Sequence, residues 1–95
     1  MSASLPPDAV AYKRTPVFDE YTVPAPLLHR HNTKAGVWGL LHILEGKLVY
    51  RTLDPVTEVV VDPSAPPVVI EPQALHEVAL IGPVRFFVEF HSIPA

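Results

Sequence analysis

An all-β chain, folded as a jelly-roll β-barrel or a β-sandwich, is what this sequence predicts, and three observations predict it. Twelve prolines in 95 residues interrupt almost every window long enough for an amphipathic helix. Short runs rich in Val, Ile, Phe and Tyr stand between turn residues, as in "VAYKRTPVF", "TEVVVD", "VVIEP" and "VRFFVEFHSI", and such runs read as strands. No stretch is helical for long enough to cross over between parallel strands. The length suits a single domain over residues 1–95, with residues 1–9 a flexible tail.

The first strand, "VAYKRTPVF", belongs near an edge, because Pro16 interrupts an interior ladder. "YTVPAPLLHRH" carries two prolines and then an extended piece that delivers His29 and His31, and "NTKAG" turns the chain. "VWGLLHILEGKLVYRTL" reads as two strands joined at Glu45-Gly46-Lys47, with Gly46 supplying the permissive dihedrals of a hairpin. The second of these ends near Asp54-Pro55, and "TEVVVD" and "VVIEP" follow as further strands. "HEVALIG" comes next, and Gly82-Pro83 turns the chain into the last strand. There Phe86, Val88 and Phe90 form a core face, while Phe87, Glu89 and His91 point the other way.

Composition narrows the function. Cysteine is absent, which removes disulfides, thiolate zinc sites and cysteine nucleophiles. The net charge of −3 and the scattered basic residues give no stripe for nucleic acid, and Ser64 sits among prolines without a histidine to activate it. No apolar run is long enough to span a membrane and no secretory leader is visible, so a cytoplasmic location is expected.

The histidines carry the chemistry. On a strand, His29 and His31 share one face about 6 to 7 Å apart, a spacing that allows both to hold one ion or to decorate a rim. His76 is the third candidate, and neutral imidazoles suit a divalent transition metal such as Zn, Fe, Mn, Ni or Cu. His42 has the parity of Trp38, Leu40 and Leu44 and reads as a packed or hydrogen-bonded core histidine. Trp38 serves as core filler or as a pocket wall, Lys34 could draw an oxyanion inward, and Arg85 reads as a salt-bridge partner.

"HNTKAGVWGLLHILEGKLVY", "EPQALHEV" and "GPVRFFVEFH" together resemble the small cupin-like domain of the tellurite-resistance protein family, which occurs alone or ahead of a methyltransferase domain. The resemblance runs from about Tyr12 to His91 and implies a cupin-like jelly roll in its standalone form, with His31 and His76 as site histidines. The glutamate that cupins usually place before the closing glycine falls here at Gly39. Glu89, or His91, then becomes the substitute, so that the expected metal set is His29, His31, His76 and Glu89. The function this implies is a metal-binding protein with a histidine-lined pocket for a small molecule or oxyanion, in tellurite or other stress response. A metal-dependent oxygenase or isomerase and a metal-free dimerisation module are the alternatives, so whether the protein is an enzyme stays open. Homodimer formation is expected, since edge strands need cover. The chain has no Gly-rich strand-to-helix motif for S-adenosylmethionine or a nucleotide.

Overall fold

The computed structural model describes residues 4–29 and 31–94. In chain order the elements are β1 (Val10–Arg14), β2 (Phe18–Asp19), a 3-10 helix (Ala25–Leu28), β3 (Trp38–Leu53), β4 (Val56–Val61), β5 (Val68–Ile70) and β6 (His76–Ser92). All pairings between strands are antiparallel. The sheet is built on two long strands, β3 of 16 residues and β6 of 17, which pair along most of their length. Shorter strands flank them: the order is β1-β6-β3-β4, with β2 also on β6 and β5 also on β3.

The expected cupin-like jelly-roll barrel or sandwich is corrected by this topology. The six strands form one sheet whose path ends at β1 and β4 without the two pairing, so the sheet does not close. The physical reason lies at two glycines. Gly46 and Gly82 have positive φ, 74° and 69°, as turns require, yet neither ends its strand. The register jumps from Gly46↔Val84 to Lys47↔Ile81, leaving Gly82 and Pro83 without partners. The two expected turns therefore face each other as a bulged crossing that bends β3 and β6 together. Only glycine fits at position 46, because a Cβ there would collide with the Pro83 carbonyl oxygen.

The crossing also shifts side-chain parity. Leu41 and Ile43 face the core before it, and Leu48 and Tyr50 face it afterwards, so the extra residues keep one continuous apolar face inward. Val78, Val84, Phe86 and Val88 of β6 meet them, with Val61 and Ile70 added from β4 and β5. Phe86 is fully buried and Phe18 of β2 packs edge-on against it at 5.8 Å. On the opposite face Arg51 donates to Glu77 of β6 and, at 3.1 Å, to Glu58 of β4, tying three adjacent strands. Arg85 pairs with Glu45 at 3.7 Å. No helix among the described residues is long and apolar enough to cross a membrane.

Candidate small-molecule site

The two prolines ahead of His29 decide its fate. Pro24 caps a 3-10 helix that contains Pro26, and His29 closes that helix, its backbone N–H donating to the Pro26 carbonyl at 3.4 Å. His29 is exposed, so it never joins His31 on one strand face. His31 instead forms an isolated antiparallel bridge with His76, held by paired backbone hydrogen bonds of 2.9 and 2.8 Å. The adjoining loops lock together: Thr33, buried, donates its hydroxyl to the Glu71 carbonyl at 3.2 Å, and Gln73 N–H donates back to Thr33.

His76 opens β6 and is only 3% exposed. Its Nδ1 lies 2.8 Å from the Ala74 carbonyl oxygen and therefore carries the proton as donor. Its ring meets that of His31 edge-on at 5.4 Å and leans on Tyr50 at 5.7 Å. Burial pushes its pKa below the usual imidazole value, against the pull of the Ala74 hydrogen bond, and nearby His31 pushes the same way. His76 is thus a packed, neutral imidazole.

Beside it opens a cavity of about 850 Å³, within the 300–1,000 Å³ range typical of small-molecule sites. Val59, Val61, Pro66, Pro67, Val68 and Ala74 give it apolar walls, and Ser4 and Leu5 from the N-terminal segment reach its edge. Its polar groups are few. Tyr50, Thr52 and Thr57 line it together with Glu71. Thr52 and Thr57 are cross-strand partners on β3 and β4, and their hydroxyls touch. Thr52 also donates to the Pro55 carbonyl at 2.9 Å. Burial, with the charge of Glu71 adding to it, pushes the Tyr50 hydroxyl up to about 12, so it remains a protonated donor. Tyr50, Thr52, Thr57 and Glu71 were not singled out by sequence; the one signal was the parity of Leu48, Tyr50 and Thr52.

At the far end of β6 the charged groups gather differently. Glu89 Oε1 accepts from His91 Nε2 at 2.8 Å and lies 3.8 Å from His42 Nε2. His42 stacks flat on Phe87 with centroids 4.6 Å apart, and Arg14 sits over the other ring face at 5.0 Å. His42 Nε2 and His91 Nδ1 are buried without a hydrogen-bond partner. Trp38, half-buried, starts β3 opposite His91, and Lys34 is exposed in its turn.

The expected metal set of His29, His31, His76 and Glu89 is therefore not assembled. His29 is exposed at the end of the 3-10 helix, away from the bridge between His31 and His76, and Glu89 is engaged by His91 near the other end of β6. Among the described residues no group of three or more His, Asp or Glu could hold a metal ion. The divalent transition metal is withdrawn with it, and so are the metal-binding function, the metal-dependent oxygenase or isomerase, and the cupin and jelly-roll descriptions. The cavity, a concave apolar site with a few convergent polar groups, fits a small-molecule ligand.

Comparison with known proteins follows from this geometry. A family profile described as the TehB-like domain matches residues 13–88. Two curated relatives from Haemophilus influenzae strains, KW20 and 10810, are each described as "Probable S-adenosyl-L-methionine-dependent methyltransferase TehB" and are 36% identical over 79 residues. The match takes in 79% of this chain but 28% of each relative, so the chain spans little more than a quarter of their length. The crystal structure of TehB from Haemophilus influenzae superposes with a TM-score of 0.83 at 32% identity, over 92% of this chain and 32% of that one. A solved protein from E. coli K12 matches with a TM-score of 0.88 over 98% of this chain and 99% of its own, at 21% identity, and shares the fold. The expectation of a standalone cupin-like domain gives way to these matches: this chain belongs to the TehB-like domain family.

Proposed function

We propose that this chain serves S-adenosyl-L-methionine-dependent methyl transfer by holding the small molecule that receives the methyl group. The observation that carries this reading is the cavity beside His76, apolar on most sides and furnished with the Tyr50, Thr52 and Thr57 hydroxyls. The relatives' description as probable methyltransferases supports the reaction class. S-adenosylmethionine itself does not fit the residues present. The described residues form no α-helix, hence no helix N-terminus behind a Gly-rich loop, and no described Lys or Arg lines the cavity to receive its carboxylate. The acceptor, not the methyl donor, is the ligand this cavity holds.

The test uses 1-N-phenylnaphthylamine, an uncharged probe whose fluorescence rises in apolar surroundings. Micromolar binding is expected, lost in Val59→Trp, which fills the cavity from β4, and undisturbed by millimolar S-adenosylmethionine. Binding that survives Val59→Trp contradicts the site, and displacement by S-adenosylmethionine makes the cavity a donor site. Metabolites recovered on the protein from cell extract are expected to include one whose methylated form accumulates when the extract, with its own methyltransferases, is supplied with S-adenosylmethionine.

A homodimer belongs to the same proposal. Edge strand β4 exposes Val56, outside the cavity lining, by 69%, and pairing with a second copy's β4 covers both its backbone groups and this side chain. Light scattering coupled to size exclusion tests it: twice the chain mass is expected, falling to a monomer in Val56→Lys.

A further inference from the structure

The hydrogen-bonding capacity of the cavity specifies the chemistry of its occupant. Thr52 has one hydroxyl proton, and it goes to the Pro55 carbonyl. In the contact between Thr52 and Thr57 the proton must then come from Thr57. Both threonine protons are spent inside the protein, and what Thr57 has left for the cavity is lone pairs. Glu71 adds a carboxylate, which accepts only. Tyr50 in the wall and Ser4 at the edge are the side-chain hydroxyls whose protons are not committed to another described residue. Among the described residues no Lys or Arg lines the cavity. The wall is therefore acceptor-rich and carries one negative charge and no positive one.

We infer that the cavity selects a hydrogen-bond-donating ligand, an apolar alcohol or amine that is neutral or cationic, and rejects anions, with Glu71 as the specificity-determining residue. This rests on the reading of the cavity as the ligand site. A hydroxyl donates to Glu71 or Thr57 and accepts from Tyr50, an ammonium donates to both Glu71 and Thr57, and in either case the apolar remainder takes the valine and proline walls. An oxyanion has only acceptors to offer, meets the carboxylate of Glu71 and finds no compensating cation, so its desolvation goes unrecovered. The oxyanion expected from sequence is thus the ligand class this wall is least suited to hold. A methyl acceptor is a nucleophile with a lone pair on oxygen or nitrogen, and an alcohol or amine supplies one.

The test compares three compounds that differ in charge on one ring: 4-methylbenzyl alcohol, 4-methylbenzylammonium and 4-methylbenzoate, each competing with 1-N-phenylnaphthylamine. The alcohol and the ammonium are expected to displace the probe at least about tenfold more effectively than the carboxylate. In Glu71→Gln the ammonium is expected to weaken at least about threefold relative to the alcohol and the carboxylate's handicap to shrink at least about threefold, each read as a ratio within the variant. Glu71 is exposed, so that variant is expected to fold, and its circular dichroism is checked. Equal competition by the carboxylate in the parent protein, or ratios between the three compounds that stay unchanged in Glu71→Gln, overturns the inference while leaving the cavity as the site. Failure of the probe to bind the parent protein, or binding that Val59→Trp does not remove, overturns the site itself.

Discussion

The two ends of β6 use histidine in opposite ways. At its start, His76 is buried and neutral, with one nitrogen on a backbone carbonyl and its faces against His31 and Tyr50. Near its end, His91 and His42 converge on the Glu89 carboxylate, each leaving one buried nitrogen without a partner. The first arrangement carries no ion pair and backs Tyr50 and Ala74, two residues of the cavity wall. The second concentrates charge on a sheet surface beside Arg14 and Phe87. Strand register, rather than spacing in sequence, decides which role an imidazole takes.

The largest expected effect comes from the crossing that separates the two ends. Gly46→Val places a side chain against Pro83 where φ is +74° and should cost about 3 kcal/mol or more, measured by urea unfolding. If the two ends depend on this crossing, both the cavity and the Glu89 cluster are lost together. Next comes a contrast between carboxylates. Glu89→Ala strips His91 of its acceptor in a buried setting and should cost about 1 to 3 kcal/mol, whereas Glu71→Ala, at the open cavity, should stay within about 0.5 kcal/mol. Equal losses would erase the distinction between a structural carboxylate and one that faces a ligand.

The pH dependence follows from His76. Its pKa is lower folded than unfolded, so the unfolded chain binds the proton more readily. The stability this contributes is full above about pH 6.5, the ordinary imidazole value, and is lost as pH falls through it toward the folded value. Thermal unfolding between pH 7.5 and 5 is expected to show a declining midpoint, with a shallower decline in His76→Gln. A steeper decline in the variant contradicts a neutral buried His76. A small stability effect is also expected of Tyr50→Phe. No described residue receives the Tyr50 hydroxyl proton, so removal should change stability by less than about 1 kcal/mol while weakening an alcohol ligand.

These contrasts show what the sequence made legible. The alternation of Phe86 and Val88 marked the β6 core, where they are 0% and 6% exposed, and Arg85 finds Glu45 as a charge partner. Gly46 and Gly82 were legible as positions needing positive φ, yet whether such a glycine turns or bulges depends on what lies across the sheet. Here Gly46 lies across from Val84 and the unpaired Gly82-Pro83 bulge beside it, and a single strand's sequence cannot show it. The His29 and His31 spacing misled because the prolines before it favour a 3-10 helix over an extended strand. The cavity was the least legible part: Tyr50 and Thr52 come from β3, Thr57 from β4 and Glu71 from a loop, joined only by register and by the Thr33 lock.

The central claim is that the cavity, and not the Glu89 cluster, receives the ligand. Nuclear magnetic resonance titration with 4-methylbenzyl alcohol tests it residue by residue. The amide signals of Tyr50, Thr52, Thr57, Val59 and Ala74 are expected to shift in a saturable way, while those of His42, Glu89 and His91 stay in place. Saturable shifts centred on His42, Glu89 and His91, with the cavity signals still, would contradict the account.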